Sequence, residues 1–156
     1  MGAALFWTFT EYYVHRFVLH KELLLSPDSA PSPAHLSHIF SKHLNHHVFM
    51  NQRPRIAQHI RDYYRVLPLA WLLVYLTLSP ESGYPLLAGF LSGSLFYDGV
   101  HLAYHFDGFW PAWLTDTVWF RAMKSAHMRH HFRDNSREFG VSTDLWDRVF
   151  GTKRDK

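Results

Sequence analysis

Cysteine is absent from this chain of 156 residues. The absence excludes disulfides, iron–sulfur clusters and thiolate zinc sites, because each of these needs a cysteine sulfur. Any metal bound here must therefore be held by nitrogen and oxygen ligands. The length suits one domain, and we expect a single domain over residues 1–156.

Lysine and arginine are missing from a long central stretch. All 16 basic residues lie within residues 16–65 or 121–156, and none lies within residues 66–120. A nucleic-acid-binding surface need not avoid one long apolar block, so we expect no nucleic acid partner. The distribution is typical of a membrane protein whose cytoplasmic segments carry the positive charge.

Two strongly apolar stretches occupy this region without basic residues. Residues 66–78 and 86–106 are predicted to be helices, joined by a turn over residues 79–85 that contains proline and glycine. The turn carries Glu81 and no basic residue, so it should face away from the cytoplasm. The alternative is a soluble helical protein that buries this hairpin, because residues 66–78 are short for a membrane span.

The flanking segments complete the predicted architecture. Residues 3–25 are predicted to form a helix that could pass most of the way through a bilayer, and three prolines predict a loop over residues 26–33. A polar helix is predicted over residues 34–47, followed by a surface connection or interfacial helix over residues 49–65. The expected fold class is all-α: an integral membrane helical protein with a helical cap at its cytosolic face.

Histidine is abundant, and its arrangement indicates a metal site. Ten of the 13 histidines fall into four short clusters with spacings His-x4-His, His-x2-His-His, His-x3-His and again His-x2-His-His. Neutral imidazole is the commonest protein ligand for intermediate metals. The cluster members are His15, His20, His43, His46, His47, His101, His105, His127, His130 and His131.

The spacing within each cluster limits which imidazoles can share an ion. His101 and His105 project from one face of a helix, and each His-x2-His-His cluster is also expected to present its imidazoles on one face. His15 and His20 are separated by about 140° on an ideal helix. They must therefore flank a metal pair, or the helix must end between them.

Ten imidazoles are too many ligands for one ion. Two ions with about five histidines each would leave roughly one open position per ion, where dioxygen could bind next to a redox metal. We therefore expect two iron ions and dioxygen as co-substrate, although zinc could occupy the sites in a purified sample. The Glu-x-x-His pairs of carboxylate-bridged di-iron proteins do not occur in the sequence.

The histidine clusters and their neighbours resemble a known family. Residues 11–20 (EYYVHRFVLH) and 97–105 (YDGVHLAYH) look like the first and third histidine boxes of the fatty acid hydroxylase/sterol desaturase superfamily. Residues 139–152 (FGVSTDLWDRVFGT) look like the segment that follows its last box. The likeness is greatest to the fatty acid 2-hydroxylases and extends over residues 11–152.

This resemblance implies a membrane enzyme, a non-haem di-iron hydroxylase with its dinuclear centre at the cytosolic face. The ten clustered histidines would be its ligands, and no catalytic residue is predicted beyond the metal centre. Such enzymes use dioxygen and two electrons to hydroxylate a lipid C–H bond. The 2-hydroxylases act on the carbon next to the carboxyl or amide carbonyl of a fatty acyl chain, commonly in sphingolipids.

Further expectations concern the partners and surroundings of the centre. The part before the first box is shorter than is usual in the family, and the sequence contains no cytochrome b-type haem domain. Electrons are therefore expected from a separate donor, such as a cytochrome b-type protein with its reductase. We expect a multi-pass membrane protein, of the endoplasmic reticulum if the source is eukaryotic. Asp98 and Asp144 are candidate acceptors for the second N–H of ligand imidazoles.

Two alternative functions are compatible with the same residues. A sterol or carotenoid hydroxylase or desaturase belongs to the same superfamily, but the order His-x4-His then His-x3-His favours the fatty acyl members. A membrane protein that binds metal without catalysis is the second alternative. It would hold zinc that iron cannot replace and would yield no oxidised lipid.

Overall fold

A computed structural model describes residues 2–20, 43, 46–47, 68–69, 71–108 and 110–154. No β-strand lies within this part of the chain, which confirms the all-α prediction for it. The helices with defined bounds are α1 (Gly2–Tyr13), a π-helix (Val14–Leu19), α2 (Pro80–His105), α3 (Ala112–Thr115), α4 (Val118–Phe132) and α5 (Leu145–Val149).

Helix α2 is the long apolar element of the fold. Among the described residues it is the one helix long and apolar enough to cross a membrane, and only 28% of its most apolar window is buried. The helical residues 71–77 precede it, and their Leu73, Tyr75 and Leu76 are exposed. The soluble alternative is therefore disfavoured, because a soluble protein would bury these side chains.

The predicted turn over residues 79–85 is wrong. Helix α2 begins at Pro80, so only Leu78 and Ser79 separate it from the preceding helical residues. Proline is accommodated in a first turn because the N–H groups there have no partner within the helix. The Ser79 carbonyl accepts from the backbone N–H groups of Ser82 and Gly83 and so starts the helix.

The predicted helix over residues 3–25 changes from an α-helix to a π-helix within its length. The α-helical conformation ends at Tyr13, and a π-helix continues it to Leu19. Residues 21–25 and the predicted segments 26–33 and 49–65 lie outside the described residues. Of the predicted helix 34–47, the three described residues are His43, His46 and His47, and all three are helical.

Helix α1 packs closely along α2. A Cβ atom added at Gly93 would lie 2.3 Å from Cγ of Trp7, so a side chain there would displace the indole. Trp7 in turn makes edge contacts with Phe90 and Tyr97. The buried hydrophobic core comprises Trp7, Tyr97, Val100, Ala103, Tyr104, Phe120, Met123 and Val141.

Helix α4 carries the last histidine cluster on its final turns. The Thr117 side chain accepts a hydrogen bond from the Phe120 N–H and caps the start of the helix. Phe120 and Met123 anchor one face in the core. This packing directs His127 toward α2 and His130 toward the π-helix, and both are almost completely buried.

Candidate metal centre

The ten clustered histidines lie in two groups of five. In each group, one ring nitrogen of every member lies within 4.8 Å of the ring nitrogens of the others. The first group is His15, His20, His43, His47 and His130. The second group is His46, His101, His105, His127 and His131.

The nitrogen spacing in the first group fits a bound cation. The Nε2 atom of His43 lies 3.2, 2.9 and 3.0 Å from the Nε2 atoms of His15, His20 and His47. A single imidazole nitrogen holds one hydrogen or one lone pair, so it cannot form three hydrogen bonds at once. Ligands at right angles around an ion, with bonds of about 2.1 Å, lie about 3.0 Å apart.

The second group has the same internal spacing and adjoins the first. The Nε2 atom of His127 lies 2.9 Å from that of His105 and 3.0 Å from that of His131. The rings of His47 and His131, one from each group, stack with their centroids 4.1 Å apart. Two cations could therefore be held side by side.

Each His-x2-His-His cluster contributes histidines to both groups. In residues 43–47 the two outer histidines join the first group, whereas His46 joins the second. In residues 127–131 the two outer histidines join the second group, and His130 joins the first. The expectation of one shared face is therefore too simple. The outer pair differs by about 40° around a helix, but the middle histidine lies about 60° away on the other side.

The π-helix explains how His15 and His20 reach the same group. The His20 N–H donates to the His15 carbonyl at 3.1 Å, an i→i+5 bond. The wider turn brings side chains five residues apart toward one face, and the helix ends at Leu19. Of the two expectations for this pair, the structure favours a helix that ends between them over a pair that flanks two ions.

Residues 137–143, which follow α4, form a segment that we call the strap. Two of its carbonyls orient histidines of the first group: His15 Nδ1 donates to the Phe139 carbonyl at 2.5 Å, and His130 Nδ1 donates to the Arg137 carbonyl at 2.6 Å. A proton on Nδ1 leaves the Nε2 lone pair free for a metal. In the second group, the buried Nδ1 atoms of His127 and His131 have no hydrogen-bond partner among the described residues.

The two aspartates considered as imidazole acceptors have other surroundings. The Asp144 carboxylate forms ion pairs with Arg148, at 2.9 Å, and with Lys153. Asp98 lies half-buried on α2, and within the described part of the chain no hydrogen bond joins it to an imidazole. Backbone carbonyls of the strap, which no side-chain pattern reveals, orient the two ligands instead.

Two buried carboxylates that hold the strap are not predicted by the sequence pattern. Asp147 accepts from the N–H groups of Phe139 and Gly140 through its two oxygens, at 2.9 and 2.8 Å. Glu11 Oε1 accepts from the N–H groups of Val141 and Ser142, at 2.6 and 2.8 Å. Both acids lie within the segments of family likeness, but their partners are backbone groups, so the side-chain sequence gives no sign of them.

Burial keeps the imidazoles in the form that binds metal. Loss of hydration lowers the pKa of His130 to about 4, and together with the nearby His130 it lowers the pKa of His47 to about 3. The pKa of His127 also lies well below its usual 6.5, again chiefly because of burial. These rings are therefore neutral at pH 7, with lone pairs available to a cation.

Comparison with known proteins identifies the family of this chain. The family model for fatty acid hydroxylase matches residues 1–152. The chain belongs to this family. It is 31% identical over 94% of its length to the ceramide very long chain fatty acid hydroxylase scs7 of Schizosaccharomyces pombe, and 32% identical over 95% to the fatty acid 2-hydroxylase of Mus musculus.

A plant relative and a solved structure extend the comparison. The dihydroceramide fatty acyl 2-hydroxylase FAH2 of Arabidopsis thaliana is 30% identical over 94% of this chain. The structure of full-length scs7p, in which only the hydroxylase domain is visible, superposes with a TM-score of 0.74 at 27% identity and covers 99% of this chain. The chain spans 40%, 37% and 56% of the yeast, mouse and plant relatives, and 54% of the solved chain.

A cavity lies beside the first group in this member of the fatty acid hydroxylase family. It has a volume of about 150 Å³ and lies where α1 and the π-helix meet α2. Trp7, Phe90 and Tyr97 give it an aromatic lining, and His15 of the first group also contributes to its wall. An apolar chain in this cavity would lie next to a ligand of the metal centre.

Proposed function

We propose that this chain is the catalytic domain of a membrane hydroxylase that acts on carbon 2 of a fatty acyl chain, as free acid or ceramide. One oxygen atom of dioxygen would enter a C–H bond at that carbon, and the other would leave as water after reduction by two electrons and two protons. The observation that carries the proposal is the pair of adjacent five-histidine groups. Each group fits one ion and leaves roughly one octahedral position open. The names of the relatives, which include ceramide, dihydroceramide and fatty acid hydroxylases, support the substrate class.

The proposed cofactor is a pair of iron ions, which would supply the redox chemistry that dioxygen activation requires. Other residues of this chain would keep the histidine ligands neutral and correctly oriented. Burial keeps the imidazoles neutral, and the Phe139 and Arg137 carbonyls fix the ring orientation of His15 and His130. The core packed around Tyr104 and Val141 excludes water from one side of the centre.

The proposed substrate site is the aromatic-lined cavity between α1 and α2. An acyl chain would be held there by Trp7, Phe90 and Tyr97, with its reacting carbon near His15. Apolar contacts suit this ligand because burying each methylene stabilises the complex by about 0.8 kcal/mol. The lipid would reach the cavity from the bilayer, since Val14 in the cavity wall is an exposed apolar side chain.

The proposed setting is a multi-pass membrane, the endoplasmic reticulum membrane if the source is eukaryotic, with the centre on the cytosolic side. Basic residues support this orientation, because Arg129, Arg133 and Arg154 lie at the end of the fold that carries the histidines. Two electrons per turnover would come from a separate donor, such as a cytochrome b-type protein and its reductase.

The test is lipid mass spectrometry of cells that express this chain with a cytochrome b-type donor and its reductase. We expect one added oxygen on carbon 2 of acyl chains, lost in His130→Ala and kept in His59→Ala, which removes a histidine outside the clusters. Oxygen on a sterol or carotenoid would favour that branch of the superfamily. No product from protein that holds its ions would instead indicate a metal-binding protein without catalysis.

A further inference from the structure

We infer that Glu11 is a positioning residue for the first histidine group: it holds the strap so that the Phe139 carbonyl orients His15. The inference rests on the proposed function only in that it concerns the same metal centre. Glu11 itself does not belong to either histidine group. Its effect would pass through the backbone of the strap.

The strap is held by an unusual set of hydrogen bonds. Four successive N–H groups, those of residues 139–142, all donate to two buried carboxylates, Glu11 and Asp147. Residues 139–142 are buried, so water could not replace these acceptors. A shift of the strap would leave buried N–H donors without acceptors, which is unfavourable.

Glu11 and His15 act on the strap from the same helical run. They are four residues apart, so they face the strap together, Glu11 through two N–H groups and His15 through the Phe139 carbonyl. These contacts connect Glu11 to His15 through the backbone of the strap. If Glu11 releases the strap, the acceptor of His15 Nδ1 is no longer fixed.

Other contacts of the strap confirm that its carbonyls are used as fixed acceptors. The Tyr104 hydroxyl donates to the Val141 carbonyl at 3.1 Å, and the Trp119 indole N–H donates to the Ser142 carbonyl at 3.3 Å. A Cβ atom at Gly140 would lie within 2.8 Å of an Asp147 oxygen, so the chain also passes close to this carboxylate. Glu11 is the acceptor that ties this assembly to α1.

The influence should be confined to one of the two groups. Strap carbonyls accept from His15 and His130 of the first group, whereas Nδ1 of His127 and His131 in the second group has no acceptor among the described residues. Loss of an outer hydrogen-bond partner typically weakens metal binding about 10–100-fold. Glu11→Ala should therefore weaken binding at the first group and leave the second unchanged.

The experiment measures metal binding by the full chain in detergent, without any lipid substrate. Metal-free wild type, Glu11→Ala, Glu11→Gln and Thr8→Val are titrated with Co²⁺, and the bound ions are counted by mass spectrometry. Thr8→Val is the matched control, because Thr8 lies one turn earlier on α1 and accepts from the Trp146 indole without touching the strap. Glu11→Gln keeps a carbonyl oxygen that can replace Oε1.

We expect two sites of comparable affinity in wild type, Thr8→Val and Glu11→Gln. In Glu11→Ala one site should weaken about 10–100-fold. The cobalt absorption spectrum that remains should match that of His15→Ala, and adding His15→Ala to Glu11→Ala should cause no further loss of ions. A structural role alone would not produce this match.

Two results would overturn the inference: unchanged binding in Glu11→Ala, or equal weakening of both sites in Glu11→Ala and Thr8→Val. If Glu11→Ala does not yield monodisperse protein, the same titration is made with Glu11→Asp. This variant withdraws the carboxylate from the strap by one methylene. Failure of the proposed function is distinguishable, because a wild type that binds two ions but makes no lipid product leaves the cobalt result intact.

Discussion

Neighbouring imidazoles in this protein differ in the group that they join and in their hydrogen bonds, because the surroundings of each ring differ. His46 and His47 are consecutive in the chain, yet they belong to different groups. His130 donates to a strap carbonyl, whereas the next residue, His131, has a buried Nδ1 without a partner in the described part of the chain. The chemical identity of the side chain is the same in each case, so position alone makes the difference.

The division of His46 and His47 between the groups predicts separable metal losses. His46→Ala and His47→Ala should each release one ion of the two, because each removes one ligand from a different group. The double variant should release both. Metal content by mass spectrometry checks this, with His59→Ala as the control. Release of both ions by either single variant would contradict the assignment of one ion to each group.

Burial of the imidazoles also predicts a pH dependence of the metal-free protein. The pKa values of His130 and His47 are about 4 and 3 in the folded state but return to about 6.5 on unfolding. Between these values the unfolded chain binds more protons, so the free energy of unfolding falls as pH falls below about 6.5, by about 1.4 kcal/mol per pH unit per imidazole.

Thermal unfolding of the metal-free protein between pH 7.5 and pH 5 measures this effect. The midpoint should be level above pH 7 and should drop steeply toward pH 5. Zinc-loaded protein should resist the drop, because the ion competes with protons for the same lone pairs. A midpoint that does not change over this range would show that the rings are already hydrated in the metal-free state.

At the scale of elements, the centre depends on two irregular pieces of backbone. The π-helix brings His15 and His20 to one group, and the strap supplies carbonyls to His15 and His130. Neither is regular secondary structure of the kind that hydrophobic periodicity reveals. Regular helices α2 and α4 supply the other described ligands that lie outside residues 43–47.

The strap predicts a difference between two nearby aspartates. Asp147→Asn places an amide N–H₂ against backbone N–H donors and should lower the free energy of unfolding by about 1–3 kcal/mol. Asp144→Asn removes only surface ion pairs and should change it by about 0–1 kcal/mol. Chemical denaturation in detergent gives both values. Equal effects of the two substitutions would contradict the buried role of Asp147.

At the scale of the whole molecule, α2 separates two unlike ends. Its 26 residues extend about 39 Å at 1.5 Å per residue, enough for a bilayer core. Ser79 lies at its N-terminal end, and the histidine groups lie at its C-terminal end. The proposed membrane orientation requires these ends to face opposite compartments.

The natural lack of cysteine makes this orientation testable. Ser79→Cys and Ser136→Cys place single thiols at exposed positions, Ser136 being next to the Arg137 carbonyl that orients His130. In sealed microsomes an impermeant maleimide should label Ser136→Cys directly and Ser79→Cys only after detergent is added. The cysteine-free wild type gives the background. Direct labelling of both variants would contradict a spanning α2.

Much of this molecule could be predicted from residue identity and spacing. The all-α class, the long apolar element and the capacity of the ten histidines to hold metal follow from hydropathy and from imidazole chemistry, which depend on the side chains alone. The prediction of a turn over residues 79–85 was wrong, because α2 begins at Pro80 and contains both Pro80 and Pro85. Proline near a helix start costs little, and sequence alone does not locate that start.

Only the tertiary structure decided how the histidines divide and what orients them. The split of residues 43–47 and 127–131 depends on which helices face each other, and this is a property of packing rather than of spacing. Glu11 meets Val141 across 130 residues of chain through a backbone N–H, a group that every residue except proline possesses. The sequence by itself determined which side chains can bind metal. The fold determined which of them lie close enough to share an ion, because backbone contacts between distant segments leave no mark on the side-chain pattern.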